Sequence, residues 1–418
     1  MIRGLLFLLL LFSLVGAAGA GETLSLEDCL QRVREQNPAL LQAASGPRIA
    51  STAAEATESL YRPRVALSAG YTQQQAPQQV VIGGSSTPTQ DQGYAHLNLG
   101  VDQLLYDFGR TSGRIAAAQA TSRAARFTYA ATEQNLLLQT VASYYRVLSA
   151  RALLQTARDE VVQTEAHLRT ARALYEQGVV TRNDLLQAEV RLAASRQRAL
   201  AAAGDEENAW LDLNYQTARP AGARGELVTG PILPLEPEAE TTASRPDLLA
   251  QRERIESARS SVQQTRSEFR PELFAHLGAD YVENSHVQEQ TIYSTTVGLR
   301  FTLYDGGARS AKLSQAEEAL RQEKEHLHNL HQRAELEAQT ARNDARVAHQ
   351  QIDVAQVAIE QAEENLRINQ ERYQEQVGTA TEVLDAQTLL TEARTDLVRT
   401  QFDYQVAVAR VRHAAGQL

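Results

Sequence analysis

Two hydrophobic periods alternate along this chain. Val65, Leu67, Ala69 and Tyr71 fall on every second residue, with Ala66, Ser68, Gly70 and Thr72 between them. Leu97, Leu99 and Val101 repeat the pattern against His96, Asn98, Gly100 and Asp102. Period two marks a strand with two different faces. The pattern therefore predicts a hairpin over about 64–105, with a loop rich in Gln, Gly, Ser and Pro over roughly 73–92. It returns in 273–281 and 293–303, which predicts a second hairpin over about 272–303 with its tip near 283–291.

The long stretches between hairpins have another rhythm. Ala341, Ala345, Ala348, Ile352, Ala355, Ile359, Ala362 and Leu366 follow steps of four and three. Val383, Ala386, Leu390, Ala393 and Leu397 answer in the same steps. Such steps average about 3.5 residues, the coiled-coil period. They predict a long helix over about 305–375 and a final helix over about 380–416. Leu137, Val141, Tyr144 and Leu148 mark an equivalent long helix over about 107–177, with a return helix over about 182–217. Shorter helices precede the hairpins, at about 25–35, 38–61 and 246–269. In the second of these, Gly46-Pro47 predicts a kink or break, because proline removes a hydrogen bond and clashes with the preceding turn.

The two halves are copies of one plan. Tyr106-Asp107-Phe108-Gly109 returns 198 residues later as Tyr304-Asp305-Gly306-Gly307. Tyr175, Val179, Thr181, Leu186 and Ala188 return at the same offset as Tyr373, Val377, Thr379, Leu384 and Ala386. A duplication accounts for this, with repeats at 21–217 and 245–418. Residues 218–244, with Pro220, Pro231, Pro234 and Pro237 and no periodicity, form the linker. Tyr106, Asp107 and Gly109, with Tyr304, Asp305 and Gly307, mark where each hairpin hands over to its long helix; Asp107 is placed to cap the first.

Composition narrows the functional classes. A net charge of −10 argues against a nucleic-acid partner. The single cysteine, Cys29, excludes an internal disulfide framework and a cysteine-based metal site. Arg3, the apolar run 5–15 and Ala18-Gly19-Ala20 have the form of a signal peptide over 1–20. Cys29 does not resemble a lipid-attachment site, and no later stretch has the apolar length of a spanning helix. No nucleophile motif, Gly-rich phosphate loop or His-Glu-x-x-His pattern is present, so neither an enzyme nor a cofactor is expected. His326, His328 and His331 cluster in sequence, but 326 and 328 point to different sides of a helix, as on a solvated face.

Four strands of this length and alternation fit the wall of an outer-membrane barrel. They cannot close alone, since the smallest such barrels need about eight. Open edges in lipid leave backbone groups unpaired at several kcal/mol each. Membrane-spanning strands would therefore require an oligomer sharing one barrel. The pattern also admits two soluble hairpins packed on helices.

The hairpin leading into Leu303-Tyr304-Asp305-Gly306-Gly307, the repeated layout, and the turn Val377-Gly378-Thr379 followed by Val383-Leu384-Asp385-Ala386 resemble the TolC-type outer-membrane efflux proteins. The resemblance covers nearly all of the mature chain. It implies a mainly α fold with a small β part, built as a homotrimer with a shared 12-stranded β-barrel in outer-membrane lipid. It also implies a helical α-barrel crossing the periplasm and docking onto an inner-membrane pump through a periplasmic adaptor (membrane fusion) protein.

For the site, the resemblance places two inward acidic residues in the turn before the final helix, at Glu382 and Asp385, as the channel aperture. Being three apart, they share a helix face, and three copies would stack two carboxylate rings. The alternative is that acidic residues in a first helical turn complement the helix dipole. Asp184 is the repeat equivalent of Glu382 and matches a family residue that ties the turns shut. The usual arginine partner falls at Ala380 here, which leaves Arg182, in the facing turn, as a substitute. The rival functional class is a periplasmic coiled-coil adaptor or scaffold, which would share the helices but not need the four strands.

Overall fold

The computed structural model describes residues 23–230 and 242–418. The expected signal peptide and residues 231–241 of the expected linker lie outside them. The order is β1 (Thr23–Leu24), α1 (Leu26–Gln36), α2 (Pro38–Ala43), α3 (Ser45–Glu58), β2 (Arg64–Gln73), β3 (Gln79–Ile82), β4 (Ser85–Pro88), β5 (Gly93–Tyr106), α4 (Arg110–Glu176) and α5 (Arg182–Gln216). There follow β6 (Glu226–Leu227), α6 (Pro246–Ser267), β7 (Glu272–Val282), β8 (Thr291–Arg300), α7 (Ala308–Gln374) and α8 (Ala380–Ala414). The fold is mainly helical with a small strand part. No described helix is long and apolar enough to cross a membrane.

The chain divides into two compact units, and α4 and α7 contribute to both. One unit, Ala44–Ala130 with Pro246–Gln332, holds a four-stranded antiparallel sheet in the order β2-β5-β7-β8. The register sets Leu67 opposite Leu99, Leu99 opposite Ala279, and Ala279 opposite Tyr293. Because strand side chains alternate, one face becomes a continuous apolar stripe. It is not covered: Val65, Leu67, Tyr293, Val297 and Leu299 are all exposed, Tyr293 at 81%. The other face carries Ser68, His96, Asn98, Asp102, His276 and Asp280. There Asp102 meets His276 at 2.8 Å and Asn98 bonds Asp280. Glycines on this face make room for large neighbours: Gly298 lies beneath the Phe274 ring, where a Cβ would come within 2.5 Å. β2 and β8 each pair on one side only.

Local chemistry moves several expected boundaries. The loop expected over 73–92 contains a small hairpin, β3 with β4, turning on Gly83-Gly84. Both glycines have positive φ, +60° and +85°, as a two-residue hairpin turn of the mirror type requires. The long helices start at 110 and 308 rather than 107 and 305. Asp107 and Asp305 cap from outside, each accepting two backbone N–H groups, from Gly109 and Thr111 and from Gly307 and Arg309. The expected break at Gly46-Pro47 falls at Ala44, so Pro47 sits in the first turn of α3, where its missing N–H is tolerated. β8 ends at Arg300, short of 303.

The other unit joins residues up to Ala43 with Ala131–Arg245 and Arg333–Leu418. Its main core packs Leu24, Cys29, Val141, Tyr144, Val147, Trp210, Leu213 and Leu227. The Tyr144 hydroxyl reaches the carbonyl oxygens of Val228 (2.7 Å) and Leu24 (3.0 Å), which satisfies a polar tip that burial would otherwise leave costly. These contacts pin the parallel pair β1–β6. On α7 the buried seam runs Ala334, Ala338, Ala341, Ala345, Ala348, Ile352, Ala355, Ala362 and Leu366. Alanine at most of these positions lets helix axes approach closely.

Candidate functional site

The candidate site is the pair of turns that end the two long helices. α4 stops at Glu176 and α5 starts at Arg182; α7 stops at Gln374 and α8 starts at Ala380. The repeat is visible in the hydrogen bonds of the turns. Val179 N–H donates to the Leu174 carbonyl and Val377 N–H to that of Arg372, both at 2.9 Å. Gly178 has φ +74° and its equivalent, Gln376, has φ +60°. The backbone thus needs a left-handed residue here, and the second repeat places a Cβ in it at a cost of about 1 kcal/mol. The helix entries are duplicated too, with Phe108 at φ +56° and Gly306 at +69°.

Capping boxes open both return helices. Thr181 accepts from Asp184 N–H while Asp184 accepts from Thr181 N–H at 2.9 Å; Thr379 and Glu382 do the same, also at 2.9 Å. Each box satisfies two backbone donors that a helix N-terminus leaves free. The Thr379 N–H, with Arg372 behind it, holds the Glu382 carboxyl below the usual range. Arg372 Nη1 lies 3.7 Å from Glu382. One turn on, Asp385 is exposed.

The expected site residues are therefore divided in their contacts. Glu382 and Asp385 share a face, but Glu382 is turned to its own helix start. Asp184 is held by Thr181, and Arg182 is exposed with no ion pair among the described residues. Ala380, at the position of the family arginine, is buried. Tyr106 and Tyr304 are exposed, Tyr304 at 86%, whereas Asp107 is buried. Beneath the turns, Leu174 and Val180 of the first repeat pack with Leu366, Tyr373, Ala380, Val383, Ala386 and Leu390 of the second. Burial pushes the Tyr373 hydroxyl up, and the nearby Asp184 carboxylate adds to this.

Two arrangements escaped the sequence reading. Arg372, in the last turn of α7, supplies a cation to Glu382; a basic residue ending one helix before an acidic start of the next is its signal. Farther along α4, the buried Glu160 accepts from Arg198 (Nε 3.0 Å, Nη2 2.5 Å) and Arg191 (3.2 Å). Arg191 also donates to Thr388 Oγ1 at 2.6 Å, so one network links α4, α5 and α8.

A profile described as outer membrane efflux protein matches residues 29–217 and 239–417. The chain belongs to the outer membrane efflux protein family. The match falls in two segments, as the repeats do. Among relatives, the outer membrane efflux protein BepC of Brucella suis is 26% identical, aligned over 97% of this chain and 88% of that protein. The outer membrane protein TolC of Vibrio cholerae is 23% identical, over 94% and 91%. The crystal structure of the outer membrane protein VceC from Vibrio cholerae superposes with a TM-score of 0.84 at 18% identity, covering 94% of this chain and 96% of that one. As a family member, this protein is an efflux channel of the outer membrane.

Proposed function

We propose that this protein is the outer-membrane channel of a tripartite export system. It would act as a homotrimer that receives substrates from an inner-membrane pump through a periplasmic adaptor. The observation that carries the reading is the β2-β5-β7-β8 sheet: an uncovered apolar face, a polar opposite face, and two unpaired edges. In lipid those edges must be paired, and three copies supply a closed ring of 12 strands.

The helices support the same closure. α7 carries five further apolar residues, Leu336, Val347, Val354, Val357 and Ile368, each two residues on from a position of the buried seam's four-three spacing and separated by polar residues such as Asn343, Gln350 and Gln361. Two residues is ~200° around a helix, so they lie nearly opposite the seam. They are exposed, Val354 at 70%. α5 has its own exposed apolar residues in Leu186, Val190, Leu200 and Leu211. A helix with apolar residues on opposite faces packs between two neighbours, as in a closed ring. A coiled-coil adaptor would need no lipid-like sheet.

On this reading Glu382 and Asp385 line the narrow end, and the three Asp385 carboxylates face one axis. Like charges held close favour bound cations. Mass measurement of the detergent-purified protein tests the assembly: a trimer is expected, and a stable, folded monomer overturns it.

A further inference from the structure

We propose that His167 makes the helix-tip packing acid-sensitive: a proton on its imidazole drives α4 and α7 apart and frees the turn that carries Glu382 and Asp385. The link to transport rests on the channel reading above; the movement itself does not.

His167 lies on α4, only 7% exposed, with its ring 5.6 Å from that of Tyr373 on α7. Its Nε2 is buried without a hydrogen-bond partner, and so is the Tyr373 hydroxyl. On α8, the buried Oε1 of Gln387 is a third such orphan; it follows Ala386, which packs in the Tyr373 cluster. Buried polar atoms are normally paired, and three orphans make this packing unusually easy to part.

The charged groups around His167 are engaged elsewhere. From α7, Tyr373 is the titratable group against it. From α5, Asp184 is held by the Thr181 box, and Arg191 by Glu160 and Thr388. From α8, Thr388 and Gln387 are neutral. On α4 itself, Glu160 is bound by Arg191 and Arg198, Glu165 by Arg196, and Arg172 by Glu189. The Asp184 carboxylate keeps its charge within its cap, but among the described residues no acidic group pairs with the ring, so an imidazolium would be buried without a counter-ion in contact. Burial alone already pushes the His167 pKa down.

The packed state binds the neutral ring, so His167 packing is at full strength above the ordinary histidine pKa of about 6.5 and is lost as pH falls from there through the depressed value. The packed ring stays neutral, so a proton is taken up only where the ring meets water, and its binding favours the parted tip. Farther along α4, the Glu160 network still ties it to α5 and α8.

The test uses the full-length protein in detergent with Cys29→Ala, and spin labels on Arg169→Cys and Gln370→Cys, both exposed sites. Distances are read at pH 7.5 and 5.0. The parted-to-packed ratio is expected to rise by up to ~10-fold per pH unit below about 6.5. His167→Phe keeps the ring without a titratable group and should abolish the shift, as should the smaller neutral His167→Gln if the first variant misfolds. No shift with His167 present, or the same shift in a folded variant, overturns the proposal. Planar-bilayer conductance is read in parallel. A distance shift lost in His167→Phe supports the movement whether or not conductance follows, whereas no conductance at any pH counts against the channel reading alone.

Discussion

Glu382 and Asp385 stand three residues apart and are not equivalent. Glu382 is occupied by the Thr379 N–H and by Arg372; Asp385 has no hydrogen bond or ion pair among the described residues. Asp385→Ala is therefore expected to weaken block by multivalent cations in planar bilayers more than Glu382→Ala does, with both variants still trimeric; equal block in Asp385→Ala and the parent refutes the aperture assignment. The Glu382 carboxyl is held low by its cap, so its contribution is present above about pH 4.5 and is lost as pH falls through the lowered pKa. Amide protection at 379–383, corrected for intrinsic exchange, should drop in that acid range and show no such step in Glu382→Gln. The left-handed positions give a third expectation. Gly178→Ala should weaken its turn locally by about 1 kcal/mol, whereas Gln376→Ala should cost little, because a Cβ already sits there. Hydrogen exchange across 174–181 and 372–379 compares them.

At the scale of elements, what repeated was legible and what did not repeat was not. Leu67, Leu99 and Ala279 declare their face by alternation, and Ala341 to Leu366 declare a seam by steps of four and three. β1 and β6 have two residues each, too few for a period, and their pairing depends on Tyr144 more than 80 residues from β6. The Gly83-Gly84 turn was written in the sequence but submerged in a loop of similar composition. Glu160 with Arg191 and Arg198 joins different helices, and spacing along one helix does not reveal partners on another. The capping boxes were local and readable as acidic first turns, yet the choice between a cap and an open aperture for Glu382 is made by rotamer, which sequence does not encode. The further apolar residues of α7 yield a prediction at this scale. Val354→Lys should block trimer formation in detergent while leaving helix content unchanged by circular dichroism, and Val354→Leu should do neither; a trimeric Val354→Lys protein would show that they face solvent.

For the whole molecule, the long and return helices of the two repeats have equal lengths. α4 and α7 have 67 residues each, and α5 and α8 have 35 each. Their turns share one core through Leu174, Val180 and Tyr373. Length is therefore held in common rather than by any single helix. Removing seven residues from α4 alone preserves its heptad phase but withdraws its turn by about 10 Å from that of α7. A viable shortening must be made in both arms of both repeats at once, a change that single insertions or deletions cannot reach stepwise. Relatives should then keep helix lengths fixed and vary at the hairpin tips. This chain has already done so: Pro63 to Tyr106 spans 43 positions and Pro271 to Tyr304 spans 33, so drift in size since the duplication is stored at the one end where no partner helix has to match it.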